Sequence, residues 1–253
     1  MLLNYKQLGE IKIINSDLEN LRIQIEQDLN IERETIHIIT FNLDFYYTAE
    51  HNKIFRSICG TAELVVPDGH GITSLLLLKH KQNIKRITGN ELFELLLDIS
   101  NKKKLKVAFV GSTPEVMAGL TKKVGLKYPD LKIAAALTPP LNFETDDKIN
   151  NRVVNELTLS GADILFAALG SPRQEIWLNN YKTIIRPKVC IGVGAAFDFY
   201  TNAKKRSPAF LQVIRLEWFW RLLNEPGRMF RRYIINDIPF FIKHAIKILL
   251  NYE

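Results

Sequence analysis

The sequence has little of what exported and membrane-spanning proteins need. Its first residues, MLLNYKQLGE, contain no apolar run long enough for a signal peptide, and no stretch of about 18 uncharged apolar residues occurs anywhere. There are only two cysteines, Cys59 in a helical pattern and Cys190 in an apolar strand pattern, so both are expected to be buried thiols. These absences predict a protein of the reducing cytoplasm.

Clustered metal ligands are also missing. No Asp-x-Asp pair occurs, and no His or Cys residues have the spacing of a metal site. Asp146 and Asp147 precede a helical pattern, which is typical of a helix cap. We therefore expect neither a metal nor another cofactor, and we expect arginines and helix N-termini to meet any phosphate group.

The basic charge is concentrated near the end of the chain. The 253 residues contain 34 Lys and Arg against 27 Asp and Glu, a net charge of +7. Residues 203–253 hold 10 of the Lys and Arg and 4 of the Asp and Glu, which gives +6 and leaves +1 for residues 1–202. We therefore divide the chain into a near-neutral body, residues 1–202, and a basic appendage, residues 203–253, with a polyanionic partner.

Apolar strand patterns alternate with helical patterns along the body. The predicted strands cover residues 35–42, 63–69, 105–112, 131–137, 163–170 and 188–194. Most are apolar without alternation, which is typical of strands buried on both faces. The pattern predicts an α/β fold with a mostly parallel, Rossmann-like sheet covered by helices, followed by a helical appendage.

Small and polar residues follow five of these strands. Carboxyl ends of parallel strands meet at one edge of a sheet, where ligands bind. Each of these segments alone is typical of an ordinary turn, but five at one edge indicate a ligand site. They are Thr40 to Asn42, Pro67 to Gly69, Gly111 to Thr113, Gly170 to Pro172 and Gly192 to Gly194.

Two of these turns, GSTPE from Gly111 and GSPRQE from Gly170, place a glycine before a predicted helix. Pro114 and Pro172 are expected at the first helical positions, and Ser112 or Thr113 as a cap. As a pair the turns indicate a diphosphate or nucleotide, because helix N-termini bind phosphate. GVGAAF lacks the third glycine of a dinucleotide fingerprint, so a dehydrogenase is a weak alternative.

The segment VVPDGHG puts Asp68 on a turn at a strand end. An aspartate in Pro-Asp-Gly commonly forms the turn, but at an edge with phosphate sites it could also act as a general base. His70 is the rival base. Arg86, in IKRITG, could contact a phosphate or simply be solvated.

The order of the motifs and the residues in them resemble those of the WecG/TagA/CpsF family of bacterial glycosyltransferases (glycosyltransferase family 26). The motifs are TFN, VVPDG, RITGNELF, GSTPE, GSPRQEIW, GAAFDF, KRSPAF and RLEWFWRLLNEPGRMFRRY, between about residues 36 and 235. The resemblance implies metal-independent, inverting transfer of a sugar from a UDP-sugar. The implied acceptor is a polyprenyl-diphosphate-linked sugar, typically GlcNAc, in the synthesis of surface polysaccharides or teichoic-acid-type polymers.

The resemblance and the glycine turns together assign site residues. The family's catalytic aspartate falls on Asp68. The expected substrate-binding residues are Thr40, Asn42, Arg86, Gly111, Ser112, Gly170, Ser171, Gln174, Glu175 and Asp198. The arginines expected to contact the lipid or its diphosphate are Arg221, Arg228, Arg231 and Arg232. The chain has Thr138-Pro139-Pro140 where the family often has a Gly-aromatic turn, which leaves the donor sugar open.

The appendage interleaves arginines with aromatic residues and follows FDF, residues 197–199, which we expect to end a strand at the ligand edge. We predict that it docks on the anionic inner face of the plasma membrane, with Trp218 and Phe219 as anchors. Alternatively, Trp218 and Leu222 belong to the core or to a contact in a homo-oligomer. A nucleic-acid-binding protein is the runner-up function, which the near-neutral body disfavours; binding to vesicles or to RNA would separate the two.

Overall fold

The computed structural model describes residues 3–31, 34–205, 207–208, 211 and 216–250. In chain order, the strands and helices of these ranges are β1 (Asn4–Leu8), β2 (Ile11–Asn15), α1 (Leu18–Asp28), β3 (Ile36–Phe41), α2 (Leu43–His51), α3 (Lys53–Thr61), β4 (Leu64–Pro67), α4 (His70–His80), α5 (Gly89–Lys102), β5 (Lys106–Gly111), α6 (Pro114–Lys127), β6 (Lys132–Leu137), α7 (Asp147–Ser160), β7 (Ile164–Ala168), α8 (Arg173–Ile185), β8 (Val189–Gly192), α9 (Ala196–Thr201), α10 (Glu217–Asn224), α11 (Pro226–Phe230) and α12 (Ile238–Leu249). A short 3-10 helix (Phe143–Thr145) precedes α7, and a π-helix (Arg231–Asp237) joins α11 to α12.

Six strands form one parallel sheet in the order β4-β3-β8-β7-β5-β6. The predicted α/β fold is confirmed, and each of the predicted strands contains an observed strand. Because all the strands run in the same direction, the turns that follow them lie along one edge of the sheet. The ends of β4, β3, β8, β7 and β5 are consecutive along that edge.

Helices cover both faces of the sheet. In β3, Ile36 and Ile38 belong to a buried cluster with Leu96 of α5, whereas Ile39 and Phe41 belong to another. Successive residues of a strand point to opposite faces, so both sets of strand side chains are buried. This two-sided burial is why the strand sequences are apolar without alternation. Cys59 and Cys190 are buried free thiols, as expected.

An antiparallel hairpin of β1 and β2 precedes the sheet. The sequence analysis assigned no strand to this region. Gly9 occupies the turn with φ +56, a left-handed conformation that glycine adopts readily. Ile11 and Ile13 are buried and Lys12 is exposed. The signal was present as a Gly-containing two-residue turn between short runs, the second of them alternating.

The last helix, α12, packs on the body. Its Phe240 and Ile248 belong to the same buried cluster as Tyr46 of α2. The Phe240 ring lies 5.1 Å from the Tyr46 ring and 5.5 Å from the Tyr47 ring. The boundary at residue 203 therefore marks a change in charge, and its role as a domain boundary stays a prediction.

Two local predictions are wrong. The FDF segment lies in α9 and does not end a strand, because β8 ends at Gly192 and the chain turns at Gly194, where φ is +51. Pro172 is the N-cap residue of α8 and not its first helical residue. In contrast, Thr113 caps α6 and Asp146 caps α7, as predicted.

Candidate active site

Asp68 lies at the end of β4, on the edge where the sequence predicted ligands. Its backbone N–H donates to the Phe41 carbonyl oxygen at 2.8 Å, which joins the ends of β4 and β3. Gly69, at φ +100, then turns the chain into α4. The Asp68 Oδ2 accepts a hydrogen bond from the Gly89 N–H at 3.3 Å. The carboxyl group therefore faces the N-terminus of α5, where backbone N–H groups favour negative charge.

Thr40 and Asn42 lie beside Asp68. A methyl group on Gly89 would approach the side chains of both Thr40 and Asp68, at 3.8 and 3.9 Å. Asn42 caps α2, with its Oδ1 accepting from the Phe45 N–H at 3.0 Å. The ends of β3 and β4 thus bring together three of the predicted residues.

Two arginines reach this group from different parts of the chain. Arg86 precedes α5 in the body, and Arg221 is in α10 of the appendage. Arg86 Nη1 lies 3.2 Å from Glu217 Oε2, and Arg221 Nη2 lies 3.3 Å from Glu217 Oε1. The Arg221 guanidinium also lies 5.8 Å from the ring of Phe199, within the FDF segment. Helix α10 therefore brings charged side chains of the appendage to the sheet edge that holds Asp68.

Burial and charge act on Asp68 in opposite directions. Burial raises the pKa of the Asp68 carboxyl, and the charge of Arg221, the Gly89 N–H and the charge of Arg86 lower it, while Glu217 raises it further. An opposite charge nearby favours an ionised carboxyl, and burial favours the neutral form. A raised pKa makes a carboxylate a stronger base, which suits proton removal from a hydroxyl.

A second group joins the ends of β7 and β8. Gln174 Oε1 accepts from the N–H groups of Gly170 and Gly194, both at 3.2 Å, and Nε2 donates to Glu175 Oε1 at 2.7 Å. A methyl group on Gly192 would lie 2.5 Å from Gln174 Nε2, so a larger residue there would displace the Gln174 side chain. Gln174 thus crosslinks two of the glycine turns, and its predicted contact with substrate stays a prediction.

Glu175 lies behind this crosslink and is 1% exposed. Burial raises its pKa to about 7, although the hydrogen bond from Gln174 opposes the shift. Ser171 lies in the same turn, ahead of α8. Glu175 therefore changes its charge near neutral pH, behind the substrate edge.

The remaining predicted edge residues occupy the ends of β5 and β8. Gly111, at φ +104, packs against β7 so closely that a methyl group would lie 2.4 Å from the Ala168 carbonyl oxygen. The Ser112 N–H donates to that same oxygen at 3.2 Å. Asp198 is half-buried in α9, after β8. The end of β8 is next to that of β3, and the end of β5 lies farther from Asp68, beyond the ends of β8 and β7.

The predicted lipid-contacting arginines differ in their surroundings. Arg221 lies near Asp68, and Arg231 is exposed. Arg232 turns toward the body, with its Nε 3.4 Å from Asp44 Oδ2 and its Nη2 3.5 Å from Asn42 Oδ1. Arg228 lies in α11, but its side chain lies outside the described part of the chain. Within the described ranges, no group of three or more His, Cys, Asp or Glu side chains is placed to hold a metal ion.

Comparison with known proteins decides the family. A sequence profile described as "Glycosyl transferase WecG/TagA/CpsF family" matches residues 6–253. The chain belongs to this family. Two relatives are both named N-acetylglucosaminyldiphosphoundecaprenol N-acetyl-beta-D-mannosaminyltransferase. The protein of Bacillus spizizenii (strain W23) is 28% identical over 242 residues, 96% of this chain and 91% of the relative. The protein of Bacillus subtilis (strain 168) is 29% identical over 244 residues, 96% of this chain and 90% of the relative.

Membership of the WecG/TagA/CpsF family confirms the resemblance drawn from the motifs. The sequence analysis missed two residues that complete the site, Gly89 and Glu217. Gly89 lies within a capping box, in which the Thr88 hydroxyl accepts from the Glu91 N–H and the Glu91 carboxylate accepts from the Thr88 N–H. The pattern T-x-x-E in RITGNE is the signal for that helix start. Glu217 stands in RLEWFW as the acidic residue among arginines and aromatics, but the sequence does not show what it faces.

Proposed function

We propose that this glycosyltransferase moves a sugar, N-acetylmannosamine or a related hexose, from a UDP-sugar to GlcNAc on a polyprenyl diphosphate, with inversion. The observation that carries the proposal is the half-buried Asp68 carboxyl, with Arg86 and Arg221 beside it at the sheet edge. The names of the two Bacillus relatives support the acceptor and favour N-acetylmannosamine as the sugar.

Asp68 acts as the general base in this mechanism. Its carboxylate takes the proton of the acceptor hydroxyl as the hydroxyl oxygen forms a bond to the anomeric carbon of the donor. The bond from that carbon to the diphosphate oxygen breaks, and its electron pair leaves with the diphosphate. A single displacement inverts the anomeric carbon and needs one carboxylate. The Gly89 N–H holds Oδ2 at 3.3 Å.

The arginines and helix N-termini meet the charge that develops on the leaving group. Arg86 and Arg221 supply two positive charges next to the base. Guanidinium groups bind phosphate through paired N–H donors, and such preorganised donors stabilise the transition state more than the ground state. We propose on this basis that the reaction needs no metal ion.

The appendage presents apolar side chains that suit a lipid surface. Exposed residues of α10 and α12 include Trp218, Phe219, Leu223, Ile238, Ile242, Ile246 and Leu249. On α12, Phe240, His244 and Ile248 point to the body, so this helix is apolar on both faces. None of the helices in the described ranges combines the length and hydrophobicity needed to cross a bilayer. We propose that these helices lie on the inner face of the plasma membrane and that the substrate lipid enters there.

A donor panel tests the proposed function. UDP-N-acetylmannosamine, UDP-GlcNAc, UDP-glucose and UDP-galactose are each supplied with a short-chain GlcNAc diphosphate lipid, and the product linkage is read by NMR. We expect transfer from UDP-N-acetylmannosamine and a β-linked product from the α-linked donor. Retention at the anomeric carbon contradicts the single displacement, and no transfer from any donor contradicts the proposal.

Chelation tests the metal prediction with the same assay. We expect activity to survive dialysis against EDTA, since the residues around the proposed leaving group are arginines. Loss of activity that Mg²⁺ or Mn²⁺ restores would show that a metal takes part.

A further inference from the structure

The carboxylate of Glu217 bridges the two arginines of the proposed site. Its Oε2 accepts a hydrogen bond from Arg86 Nη1 at 3.2 Å, and its Oε1 accepts one from Arg221 Nη2 at 3.3 Å. The Glu217 side chain is 18% exposed, so water competes only weakly for these contacts. The two carboxylate oxygens therefore contact different guanidiniums.

The two guanidiniums belong to separate parts of the chain. Arg86 is held by the body, ahead of α5, whereas Arg221 arrives on α10. Like charges repel at short range unless an opposite charge lies between them. The Glu217 carboxylate lies between the two guanidiniums and supplies that opposite charge. Glu217 is also the first residue of α10, where the positive end of the helix dipole favours a carboxylate.

The hydrogen bonds to Glu217 leave other N–H donors of each guanidinium for a phosphate group. A guanidinium has five N–H donors in a rigid fork. The hydrogen bonds to Glu217 involve one terminal nitrogen of each arginine. The same guanidinium can therefore hold the carboxylate and bind a phosphate oxygen at once. If the Glu217 carboxylate instead occupied the phosphate position itself, it would have to move away when the substrate binds.

We propose that Glu217 is a positioning residue, which holds Arg86 and Arg221 side by side so that both contact one diphosphate. The inference rests on the proposed function and deepens it by naming the group that assembles the diphosphate site. The diphosphate can belong to the nucleotide or to the lipid, because both present the same charged oxygens. The experiment below separates these two sources.

The pH dependence of catalysis distinguishes a positioning role of Glu217 from a purely electrostatic one, because the two roles shift the pKa of Asp68 in opposite directions in Glu217→Gln. The charged groups beside Asp68 are Arg221, Arg86 and Glu217, and His70 follows on α4. The two arginines lower the pKa of Asp68 more than Glu217 raises it. If Glu217 positions them, Glu217→Gln displaces an arginine and the pKa of Asp68 rises. If Glu217 acts only through its own charge, the same substitution lowers the pKa of Asp68.

Calorimetric titration of the full-length chain tests the proposal. The ligands are UDP and a short-chain GlcNAc diphosphate lipid, and the variants are Glu217→Gln, Glu217→Asp and Glu225→Gln. Glu225 is the matched control, because it pairs with Lys204 at 2.9 Å in the same appendage. We expect Glu217→Gln to weaken binding of at least one ligand by on the order of 10-fold or more, Glu217→Asp to weaken it less, and Glu225→Gln to leave it unchanged. The ligand that weakens identifies the source of the diphosphate.

Unchanged or tighter binding of both ligands by Glu217→Gln overturns the proposal, and tighter binding would show that the carboxylate competes with the diphosphate. A shift of the acid limb of kcat/KM to higher pH supports the proposal, and a shift to lower pH contradicts it. If Glu217→Gln does not fold, Glu217→Asp replaces it in the test. Binding by Glu217→Asp that equals that of the wild type then overturns the positioning role.

The binding assay also separates this inference from the proposed function. A wild-type chain that transfers no sugar but binds a diphosphate, and loses that binding in Glu217→Gln, contradicts the function and supports the positioning role. A wild-type chain that transfers sugar while Glu217→Gln behaves as wild type supports the function and overturns the positioning role. Binding of neither ligand by the wild type overturns both.

Discussion

Asp68 shows how a single residue acquires its chemistry from its neighbours. Its backbone completes the junction of β3 and β4, and its side chain meets one backbone N–H and lies beside two arginines. Removing the negative charge while keeping the shape isolates the proposed function of the base. Asn is the suitable replacement because it can still accept the Gly89 hydrogen bond.

We expect Asp68→Asn to lower kcat by about 10²- to 10⁴-fold, the usual contribution of a general base. The melting temperature should not fall, because the substitution removes a carboxyl whose ionisation is disfavoured by its partial burial. His70→Gln is the matched control and should keep most of the activity. Near-normal turnover by Asp68→Asn, with loss of turnover in His70→Gln, would transfer the role of base to His70.

Glu175 gives the second prediction at the residue scale. Its pKa is about 7 in the folded chain against an ordinary value of 4.5, so the folded state binds its proton more tightly than the unfolded state. This contribution to stability is therefore complete below about pH 4.5 and decreases as the pH rises toward 7. The loss amounts to roughly 3 kcal/mol, at about 1.4 kcal/mol for each pH step of one.

Urea unfolding of wild type and Glu175→Gln at pH 5 and pH 8 measures this loss. The wild type should lose free energy of unfolding between the two pH values, and the variant should lose less, because glutamine does not titrate. Asp237, whose pKa burial raises to about 7, leaves some pH dependence in both proteins. Equal pH dependence in the two proteins would show that Glu175 is not the titrating group.

At the scale of elements, α12 combines two surfaces with different purposes. Phe240 is 5% exposed and packs against Tyr46 and Tyr47 of α2, whereas Ile242 is 52% exposed. Polar contacts join the same helices, with Lys243 Nζ 3.5 Å and His244 Nε2 2.9 Å from the carboxylate oxygens of Glu50. The inner face therefore stabilises the fold, and the outer face is the one that we propose contacts the membrane.

Paired substitutions on α12 separate these purposes. We expect Phe240→Ala to cost about 3–5 kcal/mol of unfolding free energy, as burial of a large aromatic side chain is lost. Ile242→Ala should change stability by less than about 0.5 kcal/mol and should weaken co-sedimentation with vesicles. Strong destabilisation by Ile242→Ala, or normal vesicle binding by Ile242→Ser, would contradict the assignment of the two faces.

For the whole molecule, charge and apolar surface lie together in the appendage. Residues 203–253 carry +6 of the +7 net charge, and α10 and α12 expose aromatic and aliphatic side chains. Each basic residue near an anionic membrane contributes about 1 kcal/mol of attraction. Salt screens this attraction over about 8 Å at physiological ionic strength, whereas it leaves the apolar contribution in place.

We expect the full chain to co-sediment with vesicles that contain anionic lipid, less so at high salt, and only weakly with neutral vesicles. Arg231→Glu should reduce binding at low salt without lowering the melting temperature, since Arg231 is exposed. Arg232→Glu is unsuitable for this test because Arg232 pairs with Asp44. Equal binding to neutral and anionic vesicles at all salt concentrations would rule out the electrostatic contribution.

The sequence alone determined the parallel α/β fold, because strands buried on both faces must be apolar at successive positions, and the glycine and polar turns showed where each strand ends. It also located Asp68, Thr40 and Asn42 at one edge, since parallel strands end on the same side. Only the tertiary structure decided that Gln174 crosslinks two glycine turns, that Arg232 faces the body, and that Glu217 bridges Arg86 and Arg221. These contacts join residues that are distant in the chain, 131 positions apart for Arg86 and Glu217. Local patterns report the burial and the backbone conformation of a segment, whereas the partner of a charged side chain depends on how helices pack.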